Sequence, residues 1–250
     1  MPADVLVVMG AGGGVGASTL AALLARHRAR RRGARAGGGG SRVALVDLDH
    51  RRGGLDVLLG VEERPGARWA DLAEVRGTVD PGALDGLLPR WSGVDVLSAG
   101  TAAHDPCDGA VDAVMAALVA GHDTVVVDLP ARCVPRAGPD ELSASRGVPE
   151  VLRSRTDLVL VVGQDVLGVA GALSVRTSLD GPSQLVLRSR RRARVGPLEV
   201  ARVLDLPILG TLPTDRAVGE AVDRGLGPLT SRWSRLARAV NHIGRGCGRA

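Results

Sequence analysis

A hydroxyl pair, Ser18 and Thr19, follows a run of glycines in the segment VLVVMGAGGGVGASTLAALLA, and that order of residue types suits the holding of an anion. The apolar run before the glycines reads as a strand. The stretch from Ser18 reads as an amphipathic helix with Leu20, Leu23 and Leu24 on its buried face. Successive backbone N–H groups of such a turn, together with the positive end of the helix dipole, form a cradle for a di- or triphosphate. Ser18 and Thr19 fall in the first helical turn, where a hydroxyl meets phosphate or Mg²⁺. A tight strand-to-helix turn that binds nothing is the plain alternative. Carboxylates stand at two other strand ends: Asp47 and Asp49 in VALVDLDHRRGGLD, and Asp128 in TVVVDLP. Ligands of open α/β sheets sit at the carboxyl ends of the strands, and carboxylates there hold Mg²⁺ directly or through water.

Two motifs compete for the loop. Gly12-x-Gly14-x-x-Ala17 satisfies the dinucleotide fingerprint GxGxxA, a weak signal alone. Gly13-Gly14-Val15-Gly16-Ala17-Ser18-Thr19 resembles the deviant Walker A loop, KGGxGK[ST]T, of the MinD/ParA superfamily. The carboxylates favour the second, because a dehydrogenase needs neither cluster and the Tyr-Lys pair used by many such enzymes cannot exist in a chain with no Tyr and no Lys. On this resemblance Gly13 to Thr19 bind ATP, Asp47 supports the Mg²⁺ shell with Ser18, Asp49 orients the attacking water, and Asp128 ends a Walker B strand and holds Mg²⁺ through water.

TDLVLVVGQDVLGVAGAL is similar to the strand, loop and helix that follow Walker B in that superfamily, and LDLPILGTLPTDRAVGEAVDRG to its closing phrase LGLPVLGxLPxDxxVxxAxxxG. The backbone after that strand borders the adenine in relatives, which makes Leu212, Pro213, Thr214 and Asp215 candidates. RPGARWADLAEVRGTVDPGALDGLLPRW, followed by VDVLSAG, looks like the actinobacterial CpaE/TadZ-like and septum-site-determining branch. The resemblance implies a positional or assembly factor for a Tad-type pilus or secretion ATPase system, or for septum placement. Such a factor switches by nucleotide-linked homodimerisation.

The chain departs from the family at three positions. Gly12 stands in place of the intermonomer lysine, Ala17 in place of the phosphate-clamping lysine, and Leu187 in place of the adenine-reading Asn of the phrase VVNR, here LVLR. Losing a charged hydrogen bond to phosphate costs roughly tenfold to a hundredfold in affinity, which binding survives at cellular nucleotide levels. Losing a transition-state cation costs on the order of 10³ to 10⁵ in rate, so the chemistry expected is at most slow ATP hydrolysis. Arg51, Arg52 and Arg132 follow the carboxylate motifs and are candidate replacement cations. A pseudo-ATPase scaffold whose aspartates only cap strand ends is the extreme alternative.

The elements that must position these residues read as a doubly wound α/β fold with a mostly parallel sheet and helices on both faces. Strands are expected over 5–9, 43–47, 94–97, 124–128, 158–162, 184–187 and 208–212. Their near-continuous apolar runs are the mark of strands covered on both faces. Helices are expected over 18–30, 108–121, 166–179, 197–204, 216–225 and 230–243. Residues 28–41 and 131–147 read as irregular surface stretches. We expect one domain over 1–243, a disordered tail from Gly244, and no receiver-like domain ahead of the loop strand.

Composition excludes several classes. All 32 basic residues are Arg, and Phe and Tyr are also absent, a bias we read as genomic. No Lys can form a Schiff base and no Tyr can act as general acid. Cys107, Cys133 and Cys247 form no CxxC pair, which argues against a zinc ribbon or disulfide framework. The N-terminus lacks a signal peptide's basic leader and no apolar run reaches membrane-spanning length, so a cytoplasmic protein is expected. The net charge of +5 suits polyanions, although nucleic acid ranks below protein partners because stacking aromatics are scarce. From Thr230, Trp233, Leu236, Ala237 and Val240 fall on one face of a basic amphipathic helix. It either closes the core or lies on a membrane surface, as a comparable MinD segment does.

Overall fold

The computed structural model describes residues 3–33, 41–50, 54–100, 106–107, 109–131, 149, 152, 157–176, 183–189 and 193–247. Among these residues eight strands form one sheet: β1 (Asp4–Gly10), β2 (Val43–Asp47), β3 (Arg90–Trp91), β4 (Val94–Leu97), β5 (Thr124–Leu129), β6 (Asp157–Gly163), β7 (Ser183–Arg188) and β8 (Ile208–Leu212). Their order is β3-β4-β2-β5-β1-β6-β7-β8. Every pairing is parallel except that of β3 with β4. The fold is doubly wound α/β as expected, with β1 and its glycine loop beside the sheet's centre.

Helices cover both faces. They are α1 (Ala17–Gly33), α2 (Leu55–Leu59), α3 (Trp69–Leu72), α4 (Ala110–Gly121), α5 (Val166–Arg176), α6 (Pro197–Leu204), α7 (Arg216–Asp223) and α8 (Arg235–Gly246), with a 3-10 turn at Pro81–Leu84. Side chains alternate across the sheet. Val5, Val7 and Met9 of β1 pack with α4, α5 and α6, while Leu6 and Val8 pack with α1 and α8. Two apolar layers explain why the strand sequences run apolar without interruption.

Several boundaries move. α1 continues through Gly33, so the expected loop from Arg28 starts later. α5 is described only to Arg176, and α7 ends at Asp223. The stretch 132–148 lies outside the described residues. The last helix starts at Arg235, five residues beyond the expected Thr230, because the Ser234 hydroxyl accepts the Ala237 N–H at 3.0 Å and caps it there. It also runs past Ile243: Gly244 and Cys247 are buried where a loose tail was expected, and only 248–250 lie outside the described residues. β3, α2, α3 and the 3-10 turn were not anticipated; each spans five residues or fewer, too short for a periodic pattern to show.

Candidate functional site

The loop leaves β1 at Gly10 and enters α1 at Ala17, and the Leu20 N–H donates to the Gly16 carbonyl at 2.9 Å to start the helix. Gly14 (φ 72°) and Gly16 (φ 90°) take left-handed conformations that other residues avoid, which turns the chain tightly enough to leave Gly12 to Gly14 at the surface. Val15 is buried under the loop, while Gly16, Ala17, Ser18 and Thr19 are half-buried. α5 presses on the other side. A Cβ on Gly171 would lie 2.4 Å from the Ala11 carbonyl oxygen, so glycine there permits the close approach that braces the loop.

Strand register brings the carboxylates together. β2 and β5 pair Asp47 with Asp128, and both point to the face that α1 covers. The Ser18 hydroxyl lies beside the Asp128 carboxylate and favours its charged form. Asp47 Oδ1 accepts the Asp49 N–H at 2.8 Å, and the Asp47 carbonyl accepts Trp69 Nε1 at 2.6 Å. Burial first, then the charge of Asp128, holds the Asp47 carboxyl well above the usual carboxylate range. Burial likewise pushes Asp128 up to about 6, with repulsion from Asp49 adding to it and the Ser18 hydroxyl opposing it.

Ser18, Asp47 and Asp128 thus converge beside the loop. The donor set is hard oxygen, and a divalent cation would relieve the repulsion that burial imposes. Among the described residues, however, no three His, Cys, Asp or Glu side chains are placed to grip a metal ion directly. The residues therefore fit an ion held by the Ser18 hydroxyl and reached by the carboxylates through water.

The end of β8 joins this edge. Leu212 is fully buried and its Cδ2 lies 3.5 Å from where a Cβ of Gly16 would be. Pro213 and Asp215 are half-buried and Thr214 is exposed; Asp215 caps α7, its side chain accepting the Ala217 N–H at 3.2 Å. Leu187 points away, fully buried in the layer under α5 and α6, so it meets no ligand at this edge. Arg51, Arg52 and Arg132 lie outside the described residues.

Three participants were missed in the sequence. Asp56, buried at the start of α2, adds its charge to the repulsion on Asp47; it stands in the same phrase, RRGGLD, and its burial gave no local signal. Trp69 is buried against His50, ring centroids 4.7 Å apart and edge to face, and fixes the Asp47 backbone. Arg188, at the end of β7, donates to the Pro213 carbonyl at 3.4 Å, and its NH1 lies 3.4 Å from where a Cβ of Gly16 would be.

The architecture is that of the ParA and MinD P-loop ATPases. A ParA family ATPase from Chlorobium tepidum superposes with a TM-score of 0.75 at 19% identity, covering 97% of this chain and 98% of that one. MinD in the MinC:MinD cell division complex of Aquifex aeolicus gives 0.68 at 20%, covering 97% and 94%. The septum site-determining protein MinD of Pyrococcus horikoshii, complexed with Mg-ADP, gives 0.62 at 19%, covering 100% and 97%. In sequence, the chain is 34% identical over 242 residues to an uncharacterized protein of Mycobacterium tuberculosis, found in strains CDC 1551 and H37Rv. The match covers 96% of this chain and only 62% of that protein. It is 26% identical over 215 residues to an uncharacterized ATP-binding protein of Methanocaldococcus jannaschii, covering 82% of this chain and 75% of that one. No family model matches the chain.

Proposed function

We propose that this chain is a nucleotide-binding switch of the MinD/ParA superfamily that takes ATP with Mg²⁺ and hydrolyses it slowly if at all. The observation that carries the reading is the convergence of Ser18, Asp47 and Asp128 beside a glycine loop at a helix start. Buried carboxylates that repel each other are costly unless a cation joins them. Bound Mg²⁺ would supply charge neutralisation of the phosphates. The chain's own atoms do the rest. Backbone N–H groups of Gly13 to Thr19 hold phosphate oxygens, the Ser18 hydroxyl meets the ion, Asp47 and Asp128 hold its waters, and Asp49 orients an attacking water. Pro213, Thr214 and Asp215 flank the base. Gly12 and Ala17 leave the transition state without its lysines, which is why hydrolysis is slow.

Within that superfamily the CpaE/TadZ-like and septum-site branch is the finer assignment, supported by the phrase from Arg64 to Trp91. It makes the protein a homodimerising localisation or assembly factor, cytoplasmic and recruited to a pole or membrane surface, with a secretion or pilus ATPase or septum proteins as partners. No described helix is long and apolar enough to cross a membrane. A ParA-like role on nucleic acid draws on a separate observation: α1 and α8 pack together, carry Arg26, Arg30, Arg31, Arg235, Arg238 and Arg245, and contain no acidic residue. That role predicts duplex binding whose affinity falls steeply with salt.

The deciding experiment titrates the chain with a fluorescent ATP analogue, with and without Mg²⁺, beside an Asp128→Ala control. Mg-dependent binding weakened by the substitution is the expected outcome. No binding at millimolar nucleotide would leave a pseudo-ATPase scaffold.

A further inference from the structure

We propose that Ser98 is a further residue of the divalent-ion site, its hydroxyl holding from the β4 side the water shell that Asp47 holds from β2. The proposal rests on the nucleotide-switch reading above. β4, β2 and β5 lie side by side in the sheet, where β2 pairs Val46 with Leu97 of β4 and Asp47 with Asp128 of β5. One step beyond Val46 and Leu97 stand Asp47 and Ser98, level with each other at the carboxyl edge. Alternation sets their direction. Val94 and Val96 pack in the layer that α1 covers and Leu97 in the opposite one, so Ser98 turns to the face that Asp47 and Asp128 occupy. Trp69 ties the two backbones together, its N–H donating to the Ser98 carbonyl at 2.9 Å and its Nε1 to the Asp47 carbonyl at 2.6 Å.

Ser98 is 0% exposed, and its Oγ has no hydrogen-bond partner among the described residues. A buried hydroxyl left unpaired is costly, and an alanine would fill the place without that cost. The carboxylate beside it has acceptor capacity to spare: an ionised carboxylate offers about four acceptor sites, and the Asp49 N–H uses one on Asp47 Oδ1. Side chains level with each other on neighbouring strands stand about 5 Å apart, a spacing that one water bridges where hydroxyl and carboxylate do not bond directly. Asp47 reaches the ion through such water. The Ser98 hydroxyl then gains its partner only when the ion is bound, which turns its unpaired state into affinity for the cation. Thr124 supplies the contrast. Its Oγ1 is also buried without a partner, but it opens β5 at the amino edge of the sheet, so an unpaired hydroxyl assigns nothing by itself and the place beside Asp47 is what distinguishes Ser98.

The test reads the ion and the nucleotide separately. A fluorescent ATP analogue is titrated at a series of Mg²⁺ concentrations, and thermal unfolding is followed without either, for the wild-type chain, Ser98→Ala, Ser98→Cys and Thr124→Val. We expect Ser98→Ala to raise the Mg²⁺ concentration of half-maximal effect by roughly threefold to tenfold, the worth of one hydrogen bond, while affinity for the analogue without Mg²⁺ changes by less than about twofold. The melting temperature of the ligand-free protein should hold or rise. Ser98→Cys, with a weak donor in place of the hydroxyl, should show the same Mg²⁺ shift and carries the comparison if Ser98→Ala loosens β4. Thr124→Val should keep the wild-type Mg²⁺ requirement. An unchanged Mg²⁺ requirement in both Ser98 variants overturns the inference and leaves the nucleotide reading standing. Equal weakening with and without Mg²⁺ also overturns it, because Ser98 would then support the fold of the edge and not the ion. So does a shift in Thr124→Val as large as that in Ser98→Ala. A wild-type chain that binds the analogue without regard to Mg²⁺, or not at all, fails the nucleotide-switch reading itself and the inference with it.

Discussion

Asp95 and the pair Asp47 and Asp128 lie on neighbouring strands of one sheet, yet their surroundings are opposite. Asp95, on β4, has Arg90 Nε at 2.9 Å on one oxygen and His122 Nε2 at 3.2 Å on the other, and His122 is itself steadied by the Leu118 carbonyl at 3.0 Å. No Arg or His among the described residues pairs with Asp47 or Asp128, and each is pushed up by burial and by other carboxylates. Asp95 is half-buried and its charge is paired, whereas Asp47 and Asp128 are buried more deeply and face other carboxylates. Repulsion left in place at the carboxyl edge, beside the glycine loop, is what the proposed binding of a cation and a phosphate would relieve.

The largest test of that contrast adds the missing charge. Gly12→Lys together with Ala17→Lys should raise ATP hydrolysis, followed as phosphate release, by on the order of 10³. Space allows it at the first position, where a Cβ on Gly12 meets nothing within 4 Å. No increase would mean that hydrolysis is limited by something other than the lysines.

Next comes stability. The folded state holds the Asp128 proton more tightly than the unfolded chain does, so its contribution to stability is greatest below about pH 4. It declines as pH rises through about 6, the raised value of Asp128, and then levels off. A rise from 3.8 to about 6 corresponds to about 3 kcal/mol at most. Asp128→Asn should therefore make the Mg-free protein more stable at pH 7 by about 1–3 kcal/mol in urea unfolding, with no gain at pH 3.5. Asp95→Asn should do the reverse at neutral pH, losing about 1–2 kcal/mol through the Arg90 and His122 contacts while nucleotide binding is unaffected. If both substitutions shift stability in the same direction, the contrast between the two sites is broken.

A smaller effect checks the brace behind the loop. Gly171→Ala drives a Cβ to 2.4 Å from the Ala11 carbonyl oxygen, so α5 or the loop must shift. We expect about 1–3 kcal/mol of destabilisation with weaker nucleotide binding, read by thermal melts and titration. Wild-type affinity in that variant would show that the cradle does not depend on α5.

The strands and the carboxylate edge were legible because both rest on local patterns. Apolar runs such as Val125 to Val127 after Thr124 are long enough to declare a strand buried on two faces, and an aspartate at the end of such a run falls at the carboxyl edge of the sheet by construction. The partners supplied from elsewhere in the chain were not legible. Trp69 reaches Asp47, Asp56 repels it, and Arg188 comes to lie near Gly16 only because the sheet order sets separate segments side by side. Leu187 shows the same limit from the other side: motif alignment put it at the base, and strand alternation puts it in the core.

The C-terminal segment gives the smallest predicted effect and separates two readings of one helix. Periodicity placed Trp233 on the same face as Leu236, Ala237 and Val240. With the cap at Ser234, Trp233 stands outside the helix, 72% exposed, with Arg232 stacked 4.8 Å from its ring centroid, whereas Leu236 and Val240 pack under α8 against α1 and β8. The apolar face of the helix is therefore already occupied by the core, and an interfacial role would have to be carried by Trp233 and the outward arginines. Trp233→Ala should change stability by less than about 0.5 kcal/mol, while Leu236→Ala costs about 2–4 kcal/mol. Sedimentation with anionic vesicles completes the comparison. Binding that survives Trp233→Ala and falls with salt is electrostatic attraction to the Arg face; binding lost with Trp233 alone means that this one exposed ring, and not the helix face, inserts into lipid.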